Sequence, residues 1–540
     1  MDREINLDSI LALDKQIEEH EGPLIQLKRA RNSLLNVSIL LPPEILGTIF
    51  RWNATPDEDF GNPPKGSYNF LLVCHHWFEV ASHTPELWSF WGNSIQDWTH
   101  RHVHCGTAPI DLVLNDVDDD DEGDELDDGL RNALQGCAAR DAIRRVHLRS
   151  GSSQLLNSII FSIVTKAEGT RSNSVESFAV QSYGEPIPDV SLFFSRYHLP
   201  KLRCLRLLGC TISSWDLLKS QTMALTTIEL TFSAAPGISP TPTPPQLLGI
   251  LSSNPLLQHL ILSFSRAPHF VDSERTSSPV PLRHLKKLSL SGIFPRAFEL
   301  LNQLELPDEM DNLYLYLKGC TSANLSQTLG PYIGERVRRR GRSSGGELTV
   351  LTMHNYSTLS VYTGDTYQEV DSAEMDWFVE VAVVMNRKLE DEEADELCFG
   401  LVGHIPQGRV TSFRTALPIL RSEELCVEMC NLTHLYLDQV NLSTWPVEPD
   451  ARGSHVFKDL LPGLRHIVID RFTLSGGDWG PFTNFMYRRA AVGNPIYSLL
   501  FIEHPHMGQD LVESIRPALE SIKCAVESVE GFAGFFEGDI

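Results

Sequence analysis

One short theme returns along much of this 540-residue chain: apolar residues at the first, fourth and sixth positions of L-x-x-L-x-L. It is fullest in Leu282-Arg283-His284-Leu285-Lys286-Lys287-Leu288-Ser289-Leu290 and in Leu199-Pro200-Lys201-Leu202-Arg203-Cys204-Leu205-Arg206-Leu207. Shorter copies begin at Leu225, Leu257, Leu432 and Leu464. Each reads as a turn followed by a short strand whose alternate side chains face inward. Helical stretches lie between the copies, at 244–253, 295–304, 456–461 and 479–491. Neighbouring strand cores recur roughly every 23 to 32 residues where they can be counted, which is the spacing of a stacked repeat. A lone strand–turn–helix unit cannot hide its apolar face. Stacked units can, with parallel strands on a concave side and helices outside. The fold class expected is therefore α/β, built as an irregular solenoid.

A different pattern precedes the repeats. Residues 1–36 carry apolar positions at Leu7, Ile10, Leu11, Ile17, Leu24, Leu27 and Leu34 among charged residues, a helical spacing interrupted at Gly22-Pro23. A coiled-coil pairing and a helix folded back on its neighbours both fit, and the shortage of clean heptads favours the second. Residues 37–92 then concentrate three short apolar helices. Leu41-Pro42-Pro43-Glu44-Ile45-Leu46-Gly47-Thr48-Ile49-Phe50 starts with prolines suited to a first helical turn. The stretch 55–67 is loop-like in composition, and 68–81 resumes as helix with Leu71, Leu72, Cys74 and Phe78 inside. Thr84-Pro85-Glu86 marks a further helix start. So small a unit carries more apolar surface than it can bury alone, and the surplus points to a partner.

The remaining boundaries follow from composition. Residues 93–143 connect the helical module to the repeats and hold a strand-like Ile110-Asp111-Leu112-Val113-Leu114 and an acidic loop at 116–128. The repeat array is expected over 144–510, weakest between Cys320 and Cys430, where degenerate units or an insertion would fit. Residues 511–540 form a helical cap and tail, with Pro517 bending it. A net charge of −25 disfavours nucleic acid and anionic membranes as partners. With no secretory signal and ten scattered cysteines, an intracellular setting in cytoplasm or nucleus is expected.

The motif Leu41-Pro42-Pro43-Glu44-Ile45-Leu46…Ile49-Phe50, with Val73-Cys74-His75-His76-Trp77 and Leu87-Trp88, resembles the F-box. The units behind it resemble those of F-box/leucine-rich-repeat proteins, in their fungal form with a helix before the box. The resemblance implies a substrate receptor of a Skp–cullin–F-box ubiquitin ligase: the box binds the Skp adaptor, the repeats hold a protein target, and no cofactor, metal or catalytic residue is needed. It places adaptor contact on Leu41, Pro42, Pro43, Glu44, Ile45, Ile49, Phe50, Val73, Cys74, Trp77, Leu87 and Trp88. For each of these, internal packing stands beside adaptor contact as the plainer alternative. Two departures stand out: a long loop between the first two helices, and His75-His76 where a basic pair is common.

Other motifs carry less. Gly341-Arg342-Ser343-Ser344-Gly345 has the form of a hydrolase elbow, but that elbow needs a strand before Ser343. Arg336-Val337-Arg338-Arg339-Arg340 reads instead as a solvated basic loop. His100, His102 and His104 would share one face of a strand, yet no second ligand cluster accompanies them. Asp118, Asp120 and Glu122-Gly123 imitate a calcium loop whose closing acid falls on Gly129. A protein that recognises partners without catalysis is therefore expected, with a non-ubiquitylating scaffold and a hydrolase using Ser343 as alternatives. Target contacts are expected on outward strand positions: Arg203, Arg206, Glu229, Lys287, His434, Tyr436, His466 and Val468.

Overall fold

The computed structural model describes residues 15–16, 19–20, 23–28, 30–31, 41–54, 69–92, 104–115, 128–139, 142–165, 174–184, 187–220, 224–232, 241–264, 278–343, 348–354, 358–363, 377–384, 402–406, 408, 410–415, 429–441, 461–473, 480–502 and 526–530. It is a mixed α/β structure with mainly parallel strands. Two compact units divide it, residues 1–225 with 235–240 and residues 226–234 with 241–540.

The first unit holds helices α1 (Pro43–Ala54) and α2 (His75–Ser82). Behind them run five parallel strands: β1 (Phe90–Gly92), β2 (Ile110–Asn115), β3 (Ile143–Ser150), β4 (Ser177–Ser182) and β5 (Cys204–Leu208). Each pairs with the next in register. The parallel ladder thus starts well before residue 144, and β2 and helix α3 (Asp128–Ala139) belong to it rather than to a simple connector. Helices α4 (Ser153–Thr165), α5 (Ser191–Arg196) and α6 (Asp216–Ser220) complete the unit. Phe178 of β4 stacks on Phe193 of α5 at 4.1 Å and meets Phe194 edge-on. Val146, Leu148, Phe178, Val180, Leu205 and Leu207 are all buried, so one sheet face is the core. On the opposite face His147, Ser177 and Ala179 are buried as well, while Arg145, Arg149, Gln181, Arg206 and Leu208 are half-buried.

The second unit repeats this design. Strands β6 (Thr227–Phe232), β7 (His259–Phe264), β9 (Lys287–Ile293) and β11 (Asn312–Lys318) lie parallel, with the two-residue pair β8 (Val280–Pro281) and β10 (Leu304–Glu305) beside them. Helices α7 (Pro244–Ser252) and α8 (Phe294–Asn302) fall close to their expected positions. Thr243 and Gln246 form a capping box at the start of α7.

The recurring theme has a simple cause. The first leucine of each L-x-x-L-x-L donates a turn hydrogen bond to the residue three before it: Leu202 N–H to Leu199 O at 3.1 Å, Leu285 to Leu282 at 3.0 Å, and Leu464 to Leu461 at 3.0 Å. Both leucines of the turn are buried, and so are the two alternate strand residues that follow, as in Leu282, Leu285, Leu288 and Leu290. The spacing therefore encodes one turn and one inward strand edge.

Between β11 and the last strands the order changes. β14 (Trp377–Val384) lies parallel to β11, β13 (Thr358–Thr363) runs antiparallel to β14, and β12 (Leu348–His354) antiparallel to β13. β12 then pairs in parallel with β15 (Ser412–Thr415), which leads to β16 (His434–Asn441), β17 (His466–Thr473), β18 (Ile496–Ile502) and β19 (Val526–Glu530). The weak stretch is thus an inserted antiparallel meander carrying Leu348–His354, while 385–401 lies outside the described residues.

Two further expectations change. Residues 336–340 belong to helix α9 (Gly330–Ser343), not to a loop. Residues 526–529 are strand, where a helical cap over 511–529 was expected; 511–525 lie outside the described residues. Helix α10 (Gly480–Ala491) matches the expected 479–491. The described residues of the N-terminal segment, including 23–28, are helical.

Candidate docking surface

The 41–92 region is built around Phe50. The Pro42 carbonyl accepts from Ile45 N–H at 3.0 Å and Leu46 N–H at 3.1 Å, so the prolines lock the first turn of α1. Glu44 in that turn and Arg51 in the last complement the helix dipole. Leu46 and Phe50, four residues apart, face inward and are buried. The Phe50 ring stacks on Phe70 with centroids 4.3 Å apart and meets Trp77 at 5.2 Å. Ile45, Ile49 and Trp52 fall on a neighbouring flank of α1 and are exposed, Trp52 to 79%.

The next segment splits where one helix was expected. Asn69–Leu72 is a single 3-10 turn, and α2 begins after Cys74, whose extended backbone (φ −161°, ψ 167°) breaks the helical phase. The break turns Leu72 and Val73 outward, with Leu72 exposed to 85%. Phe78 is exposed as well, while Val80 and Ala81 pack inside. Leu72 and Phe78 therefore lie outside the core rather than in it. His75 pairs with Glu79 at 3.2 Å along the outer side of α2.

The Pro85–Leu87 turn closes the module. Trp88 is 5% exposed; its indole N–H donates to Ala81 O at 2.9 Å and its ring lies against His104 at 4.8 Å. Trp91, fully buried, donates to Trp88 O at 3.0 Å. These bonds fasten α2 to the start of the sheet.

The expected adaptor residues thus separate into two groups. Phe50, Leu87 and Trp88 are buried, Phe50 against Phe70 and Trp77 and Trp88 against His104, so internal packing is the reading their burial favours. Pro42, Pro43, Glu44, Ile45, Ile49 and Val73 are exposed, and Leu41, Cys74 and Trp77 are half-buried. Trp52, Leu72 and Phe78 join the exposed set without having been singled out as contacts. The seven-residue spacing of Ile45 and Trp52 on one helix was the signal for the first of them.

The expected target residues fall in both units. Arg203 is exposed just before β5 and Arg206 half-buried on it. Glu229, Lys287, His434, Tyr436 and His466 are half-buried on open-face strand positions of the second unit. His434 and His466 are brought together in one register row, whereas Val468 is buried and not available as a contact.

The chemical motifs change character. Ser343 ends helix α9, so no strand leads into it and the elbow geometry is not met. His104 lies against Trp88 and Cys105 is buried, in a helical turn rather than a strand; His100 and His102 lie outside the described residues, as do Asp118, Asp120, Glu122 and Gly123. Among the described residues no group of three potential metal ligands occurs, and no helix is long and apolar enough to cross a membrane. No protein-family model and no curated protein matches this chain.

Proposed function

We propose that this chain is a substrate-recognition subunit of a Skp–cullin–F-box ubiquitin ligase, with 41–92 docking the Skp adaptor and the open strand faces holding a protein target. The observation that carries this reading is the exposure of Ile45, Ile49, Trp52, Leu72, Val73 and Phe78 on a module whose own core holds Phe50, Phe70 and Trp88. Exposed apolar side chains gathered in one small module favour an interface, and a tryptophan among them is a common anchor. The turn–strand–helix recurrence supports reading the rest of the chain as an irregular leucine-rich-repeat array. Such an array has no active site. It acts by holding a target near a ligase and raising its effective concentration there.

The test is co-purification of the full chain with a recombinant Skp-type adaptor. The double variant Trp52→Ala with Leu72→Ala is expected to weaken capture about tenfold or more, with unchanged thermal unfolding. Full retention of adaptor by that variant, or no capture by the unaltered chain, would count against the assignment. Capture of adaptor without ubiquitylation of any bound protein would favour the scaffold reading.

A further inference from the structure

Each described residue from Lys15 to Arg31 is helical and exposed. Leu24 is exposed to 50% and Leu27 to 69%. A helix folded back on its neighbours would hide both leucines, so fold-back is not their fate. Their spacing continues along the sequence. Ile10, Leu13, Ile17, Leu24, Leu27 and Leu34 follow alternating steps of three and four, with His20 and Arg31 at the two remaining places. That is the seam of a coiled coil, and an apolar stripe of this kind calls for a facing helix.

The charge along the segment selects the facing helix. Residues 2–21 carry seven acidic side chains against Arg3 and Lys15, whereas residues 22–35 carry Lys28, Arg29 and Arg31 and no acid. Two copies laid in the same direction set acid on acid and base on base. Turned end for end, each acidic half lies on the other copy's basic half, and the match is made twice. In that arrangement the seam closes in layers, Ile17 opposite Leu27, Ile10 opposite Leu34 and His20 opposite Leu24, with Asp14 facing Lys28 beside it. The break at Gly22-Pro23 falls on the two-fold axis. Both chains bend there at one point, and the layers on either side stay matched.

We propose that residues 10–34 bind the same segment of a second copy of this chain as an antiparallel two-helix coiled coil. The interface is self-complementary, so it closes at two chains. The leucines and isoleucines supply the burial, and the acid–base contacts set partner and direction. Adaptor docking by 41–92 is a separate contact, and either can fail without the other.

The test is sedimentation equilibrium of the full chain at several protein and salt concentrations. The unaltered chain is expected at the mass of a dimer, with association weakening as salt rises. Leu24→Asn with Leu27→Asn is expected to weaken association about tenfold or more, with unchanged thermal unfolding because both side chains are exposed. Lys28→Glu with Arg29→Glu and Arg31→Glu makes both halves acidic, and this variant is expected to be monomeric. Mixed with a chain carrying Asp14→Lys, Glu18→Lys, Glu19→Lys and Glu21→Lys, it is expected to recover a one-to-one pair. Trp52→Ala with Leu72→Ala is expected to stay dimeric. The salt dependence needs no variant and stands even if a substituted chain misfolds. Five results would each overturn the proposal: a monomer at every concentration, association that strengthens with salt as same-direction pairing would, a dimer untouched by the two leucine substitutions, no recovery in the charge-swapped mixture, or loss of the dimer in Trp52→Ala with Leu72→Ala.

Discussion

His434 of β16 and His466 of β17 stack ring on ring across neighbouring parallel strands, with centroids 4.4 Å apart and planes 12° from parallel. They occupy one register row between Ser412 and Ser498, and His466 Nδ1 shares a hydrogen bond with Ser498 Oγ at 3.2 Å. Burial pushes the His434 pKa down from 6.5 to about 4, and the facing His466 adds to the shift. Burial and then Arg465 lower His466 as well. Both rings are therefore neutral when folded at physiological pH.

The consequence is a pH dependence with a definite sign. The unfolded chain protonates these rings near 6.5, whereas folded His434 holds out to about 4. Between those values the unfolded state binds more protons, so stability falls as pH falls through that window. Urea unfolding midpoints of the wild type should drop more steeply across it than those of His434→Gln with His466→Gln. Equal slopes in the two proteins would contradict the assignment.

Trp88 and Trp52 lie on opposite sides of the divide between core and surface. Trp88 is core and bonded to Ala81 O, while Trp52 projects from α1. Trp88→Ala is expected to cost about 3–5 kcal/mol through the cavity it leaves, and to lower soluble yield. Trp52→Ala is expected to stay within about 0.5 kcal/mol of wild type. Denaturant titration of both variants checks this, and a large loss from Trp52→Ala would show that its ring is structural.

Much of this architecture is legible in the sequence, for a physical reason. The leucines of a repeat all face one core, so Leu282, Leu285, Leu288 and Leu290 declare turn and strand together. What stays hidden is which side of a small helix faces in. Ile45, Leu46, Ile49 and Phe50 are equally apolar, yet only Leu46 and Phe50 turn inward. Leu72 is missed because the helix breaks at Cys74, and nothing in local composition announces a phase change. The order β11, β14, β13, β12, β15 is hidden because its pairings join distant segments rather than neighbours. The burial of Arg336 and Arg489 is hidden because a cationic side chain ordinarily reads as solvated.

Gly209 and Gly319 make a matched pair. Gly209 follows β5 and Gly319 follows β11, and both have positive φ, 65° and 72°. They differ in space. A Cβ on Gly209 would lie 2.2 Å from Ser182 O, whereas one on Gly319 meets nothing within 4 Å. Gly319→Ala should cost only the left-handed backbone penalty, about 1 kcal/mol. Gly209→Ala adds a backbone clash and should cost about 2 kcal/mol or more. Urea unfolding of the two variants tests the difference, and equal costs would mean that the Ser182 contact yields freely.

Arg489 and Arg336 perform the same task in two different turn–strand–helix segments. The Arg489 guanidinium reaches back from α10 and donates to Leu461 O and Leu464 O, both at 2.9 Å. Arg336 of α9 reaches back in the same way to Leu306 O at 3.2 Å and to Pro307 O. Each helix thus pins the turn before the strand that precedes it, at Leu461-Pro462 or Leu306-Pro307. Burial lowers the Arg489 pKa to about 10 and Arg465 adds to it, which leaves the group cationic at neutral pH. The turn needs such a hold, because Leu461 carries a left-handed φ of 52° that disfavours a branched side chain. Arg489→Lys keeps the charge but cannot place one planar fork across two carbonyls, and Arg489→Met removes the donors altogether. In the methionine variant Leu461 O keeps its turn bond from Leu464 N–H, while Leu464 O loses the guanidinium. A loss of about 2 kcal/mol is expected from that buried acceptor, with a smaller loss for lysine. Hydrogen exchange of the β17 amides is the direct readout. Unchanged protection of His466 to Ile469 in the methionine variant would show that the turn holds itself without the arginine.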